Sequence, residues 1–60
     1  MEKRELMALR WLERQSGHAS RYSFIEQFNE LTYDDLIVKH MRLDDGLLRL
    51  THAGERAIKP

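Results

Sequence analysis

A chain of sixty residues without a single cysteine has no disulfide or thiolate metal site to brace it, so its fold must be carried by one small apolar core. A domain of this size buries only about 60% of the surface its unfolded chain exposes. Such a core rarely nets more than ~3–5 kcal/mol. Either the core is efficient, or a partner or second copy adds to it. One domain, 1–60, is all the length allows. No run approaches the ~20 apolar residues of a membrane span. Met1-Glu2-Lys3-Arg4-Glu5 alternates in charge and leads into no signal-peptide core. The expectation is a soluble, cytoplasmic protein.

The ten basic and ten acidic side chains cancel, but they are unevenly spread. Residues 1–22 hold five bases and three acids, net +2; residues 23–46 hold two and six, net −4; residues 47–60 hold three and one, net +2. Binding to nucleic acid depends on a basic face that neutralises phosphates, not on a basic total. The distribution leaves such a face open without announcing it.

Residues 2 to about 15 have the pattern of a helix. Glu2 and Glu5 stand early and Arg10 and Arg14 late, as the helix dipole favours. Met7, Ala8, Leu9, Trp11 and Leu12 spread over about 200° of the wheel, wider than the ~100° stripe of an ordinary surface helix. So wide an arc predicts burial on two fronts, with Met7 and Trp11 as candidates for self-association in a homodimer. Ser16-Gly17 ends the helix, and His18 to Tyr22 reads as a connector or a short strand. Ser23 and Glu26 have the spacing of a capping box, predicting a second helix from Phe24 to about Asn29-Glu30 with Phe24, Ile25 and Phe28 inward.

Thr32 with Asp35 gives a second box, and Leu31 with Leu36 the spacing of a hydrophobic staple, which predicts a third helix from Tyr33. Two short helices joined by so tight a turn, behind a longer one, make a helix-turn-helix arrangement. Leu47 to Thr51 alternates as a strand, and Thr51 can cap a last helical turn, His52 to Ile58. The expected class is mainly α with a small β element: a three-helix helix-turn-helix core, a short two-stranded sheet and a C-terminal helical turn.

Gly46-Leu47-Leu48, Arg49-Leu50-Thr51-His52-Ala53-Gly54 and Ala57-Ile58 together resemble the C-terminal part of the winged helix-turn-helix superfamily, as in MarR-like and PadR-like regulators. The resemblance covers roughly residues 20–58 and implies a recognition helix at 33–44 supported by a helix at 24–30. Members usually place a β-hairpin wing between the "GL" and "LT" pieces, which abut here. Two arrangements follow. Either residues 47–51 form one strand against 18–22, or the hairpin turns at Asp44-Asp45-Gly46, an apt turn sequence. The spacing of Leu36, His40, Leu43 and Leu47 favours a long third helix and hence the first.

On that long helix Asp34, Asp35, Val38, Lys39 and Arg42 would face outward. Lys39 and Arg42 are the candidates for base or phosphate contact, with Asp35 able to accept from cytosine; as cap and first-turn residues the two aspartates equally serve the helix alone. Lys3, Arg10, Arg14, Arg21 and Arg49 are the further phosphate candidates. His18, His40 and His52 match no metal-ligand spacing. Ser16, Ser20 and Ser23 read as turn and cap residues without an oriented base. No cofactor, metal, small-molecule substrate or catalysis is expected. The leading expectation is a small, dimeric transcriptional regulator that binds duplex DNA. The alternative is a protein-interaction module on the same scaffold that does not bind DNA.

Overall fold

The computed structural model describes all sixty residues, Met1–Pro60. Four helices and one two-stranded antiparallel sheet follow one another as α1 (Lys3–Arg14), α2 (Arg21–Gln27), α3 (Glu30–Ile37), β1 (Met41–Asp44), β2 (Leu47–Leu50) and α4 (His52–Ile58). The class is mainly helical with a small β element, as expected. No helix is long and apolar enough to cross a membrane.

The Glu5 carboxylate closes the first turn of α1 by accepting the Glu2 N–H at 3.0 Å. The helix buries Ala8, Leu9 and Leu12. It ends in a turn where Ser16 (φ 52°) and Gly17 (φ 82°) both enter the left-handed region. Past the turn, Ala19 and Ser20 run beside β2. Ser20 forms an isolated antiparallel bridge to Leu47, and the Ala19 carbonyl accepts the Leu48 N–H at 2.7 Å.

Both inner helices start earlier than expected, and in each case a better cap lies upstream. The cap of α2 is Ser20, not Ser23. Ser20 Oγ accepts the Ser23 N–H at 3.0 Å, and Ser23 Oγ accepts the Ser20 N–H at 3.1 Å. A serine thus fills the return position that Glu26 was expected to take, three residues further along. For α3 the cap is Asn29, whose Oδ1 accepts the Thr32 N–H at 2.7 Å. Asn caps at least as well as Thr, and this start turns Thr32, Tyr33 and Leu36 inward on one face. The expected Leu31–Leu36 staple is absent: Leu36 is fully buried while Leu31 is 70% exposed.

The third helix does not run to Asp44. It stops at Ile37, and the next residues turn into the hairpin that the longer reading passed over. Asp45 (φ 56°) and Gly46 (φ 80°) form a two-residue turn with both angles positive. That is the geometry whose twist matches two antiparallel strands. Met41 pairs with Leu50, Arg42 with Arg49, Leu43 with Leu48 and Asp44 with Leu47. Alternation then puts Met41 and Leu48 in the core and Arg42 and Arg49 outside. The periodicity of Leu36, His40, Leu43 and Leu47 suits a helix equally well, but only the hairpin buries Met41 and Leu48 together.

Thr51 caps α4, as expected, by accepting the Gly54 N–H at 3.1 Å. It also donates its hydroxyl to the Lys39 carbonyl at 2.6 Å and its N–H to the His40 carbonyl at 3.2 Å. Gly54 is buried directly against that His40 carbonyl, and a Cβ there would fall inside it. This contact explains the Leu-Thr-x-x-Gly pattern: threonine and glycine fasten α4 to the exit of α3. The core they close is built on Leu9, Phe24, Leu36, Met41 and Leu48, all fully buried.

Two contrasts follow for urea melts. Leu36→Ala should cost about 2–5 kcal/mol, most of what a domain of this size nets, whereas Leu31→Ala should stay within about 0.5 kcal/mol. Gly46→Ala meets open space and should cost only the ~1–2 kcal/mol of a left-handed alanine. Gly54→Ala should cost more than Gly46→Ala, despite alanine's ~1 kcal/mol advantage in a helix, because helix and carbonyl must part.

Candidate functional site

The residues expected to meet DNA do not gather on one helix. Lys3, Arg10 and Arg14 lie on exposed positions of α1, and Arg21 opens α2 with its guanidinium 5.1 Å from the centre of the Tyr33 ring. Lys39 falls in the turn after α3, and Arg42 sits on β1. The expectation that Lys39, Arg42 and Asp35 share one helical face is therefore overturned, because α3 ends two residues before Lys39.

Three surfaces result. The outer face of the hairpin sets Arg42 directly opposite Arg49. Like charges in that position repel, and Asp44 lies between them, its Oδ2 3.9 Å from Arg42 Nη2 and 3.8 Å from Arg49 Nε. All three side chains remain at least half exposed. The Arg49 guanidinium also lies over Gly17, in space that any side chain there would fill.

The second surface is the outer stripe of α3. Glu30, Leu31, Asp34, Asp35 and Val38 stand at helical positions i, i+1, i+4, i+5 and i+8, so they form one continuous ridge. It carries three carboxylates and no base. Leu31 is 70% and Val38 84% exposed, the second and first of the aliphatic side chains in exposure. The only ion pairs of the molecule are the two at Asp44, so no cation neutralises this ridge.

The third surface is a cleft of about 260 Å³ between α1 and α2, lined by Met7, Arg10, Trp11, Arg14, Gln27 and Phe28. Its floor belongs to an aromatic cluster in which Trp11 meets Phe28 edge-on at 5.6 Å and Phe24 at 5.9 Å. Half-buried Trp11 and 54% exposed Met7 thus place the far side of α1's apolar arc at this cleft. No group of three or more His, Cys, Asp or Glu side chains is arranged to hold a metal.

Sequence reasoning placed Asp34, Asp35 and Val38 on this outward face but left out Glu30 and Leu31, because it took Asn29-Glu30 for the end of α2 and Leu31 for half of a staple. Read as a cap, Asn29 would have put Leu31 outside with them. Compared with protein families, characterised proteins and solved structures, the chain matches none.

Replacing Asp44 with Asn should leave the two arginines opposed. Melts should show a loss under about 1 kcal/mol at low salt, and the loss should fade near 1 M salt, where the screening length is about 3 Å.

Proposed function

We propose that this chain is a non-enzymatic protein-interaction module on a winged-helix-like scaffold, with the α3 ridge as its contact face. The scaffold reading is supported by the order of elements: a helix, two helices across a tight turn, a hairpin, then a helix joined through Leu-Thr-x-x-Gly. The observation that carries the function is the make-up of the ridge. In a DNA-binding domain of this shape, the helix in the α3 position enters the major groove, and affinity comes from neutralising phosphates. Glu30, Asp34 and Asp35 would oppose that, and no lysine or arginine of the helix offsets them. Two aliphatic side chains set among carboxylates suit a protein surface that offers an apolar groove with a basic rim. A cytoplasmic location belongs with this reading.

A second reading keeps the regulator of transcription and moves its DNA contact to the hairpin. It is favoured by Arg42 and Arg49, which stand side by side on the outer face. In that case α3 stays clear of the groove, and phosphates take over the role of Asp44.

Random-sequence duplex DNA, titrated at low salt and at about 200 mM, separates the two. The interaction reading expects no binding at either salt. It also expects a retained protein partner to be lost from a Leu31→Ser, Val38→Ser double variant that melts like the parent. Low-salt DNA binding that Arg42→Ala or Arg49→Ala removes, and that the α3 double variant leaves unchanged, would establish the second reading and end the first.

A further inference from the structure

The chain itself carries a surface of the kind that the α3 ridge calls for. The α1/α2 cleft is apolar and aromatic at its floor, with Met7, Trp11 and Phe28, and it is lined by the free guanidiniums of Arg10 and Arg14. Neither arginine is in an ion pair. The ridge is the reverse, with Leu31 and Val38 between Glu30, Asp34 and Asp35. The two surfaces also match in length. Leu31 to the C-cap Val38 and Met7 to Arg14 are each seven residue steps apart, about 10 Å at 1.5 Å per residue. They share no residue, so one molecule can present both at once.

We infer that the occupant of the cleft is the α3 ridge of a second copy of this chain. This inference rests on the interaction reading of α3 and names its partner. The mode is helix-in-groove: Leu31 and Val38 enter beside Trp11 and Phe28, while Asp34 and Asp35 meet Arg10 and Arg14. Such a contact joins two different patches and is heterologous. Each added copy leaves one free ridge and one free cleft, so association continues unless the rotation closes a ring. The symmetric homodimer expected from Met7 and Trp11 gives way to a head-to-tail arrangement in which those residues form only the receiving half. A single short helix covers less than the ~800 Å² per partner of a standard interface, so association is weak and concentration-dependent.

Two surface variants isolate the halves. Leu31→Ser with Val38→Ser removes the ridge, and Arg10→Glu with Arg14→Glu reverses the rim of the cleft; all four positions are exposed, so the fold should survive. Trp11→Glu is a poorer choice, because Trp11 packs on Phe24 and Phe28. Sedimentation equilibrium from about 20 μM to about 1 mM, the concentrations at which weak association is populated, should show wild-type mass climbing from 7.2 kDa. Each variant alone should stay at 7.2 kDa. Their equimolar mixture should recover association but stop at two chains, since one supplies the intact cleft and the other the intact ridge. The single tryptophan lies at the cleft, and its fluorescence should shift in the mixture but in neither variant alone.

A wild type that remains monomeric at the highest concentration overturns the inference, as does association that persists in both variants or that the mixture fails to restore. A monomeric wild type whose protein partner is still lost on removing the ridge would overturn the second copy and leave the α3 reading standing. DNA binding through the hairpin with an inert ridge would remove both.

Discussion

The junction of Thr51 and Gly54 with the Lys39 and His40 carbonyls fixes how α3, the hairpin and α4 meet. A helix end leaves carbonyls without partners, and α3 ends abruptly at Ile37. Thr51 bonds two carbonyls of the turn that follows, that of Lys39 through its hydroxyl and that of His40 through its N–H. The same hydroxyl caps α4. One residue therefore ties the turn after α3 to the end of β2 and the start of α4. Gly54 lets the helix come close enough for the three bonds to form together.

The aromatic cluster has a comparable double role on the other side of the molecule. Phe24 is completely buried and meets Trp11, Phe28 and Tyr33 with ring centres 5.2–6.0 Å apart. These rings supply much of the apolar surface that a sixty-residue chain needs to fold. Trp11 and Phe28 are not fully enclosed, so the edge of the core is also the floor of the cleft. A small domain has too little interior to separate the residues that hold it together from those it shows to others. The wide apolar arc of α1 reflects that economy: Ala8, Leu9 and Leu12 face the core, while Met7 and part of Trp11 face outward.

The class, the number of helices, the tight turn between α2 and α3 and the Thr51 cap were all legible in the sequence, because each rests on local chemistry. Boundaries were less so, for reasons visible in particular residues. Ser20 and Ser23 are cap residues of the same type, and the earlier start is the one with a reciprocal Ser20–Ser23 box and with Ser20 bridged to Leu47. Asn29 could end one helix or begin the next. Leu36, His40, Leu43 and Leu47 fit a helical period, yet Met41, Leu43, Leu48 and Leu50 fit alternating strands just as well. The choice falls to the hairpin through long-range facts, namely the burial of Met41 against Leu48 and the carbonyls that Thr51 needs. The candidate site inherited that error. Once α3 ends at Ile37, its outer face loses both expected bases and becomes acidic.

That loss matters more than the net charge of zero suggests. At physiological ionic strength the screening length is about 8 Å, while the backbone extends 28 by 19 by 19 Å. A phosphate or a partner near one face feels mainly the charges of that face. The hairpin presents two arginines against one aspartate, the cleft two arginines, and the α3 ridge three carboxylates. A neutral total is therefore the sum of surfaces that act separately, and the acidic α3 ridge attracts what the basic hairpin and cleft repel. A chain built in this way carries faces of opposite sign on one small body, each patterned to meet a surface of the opposite charge.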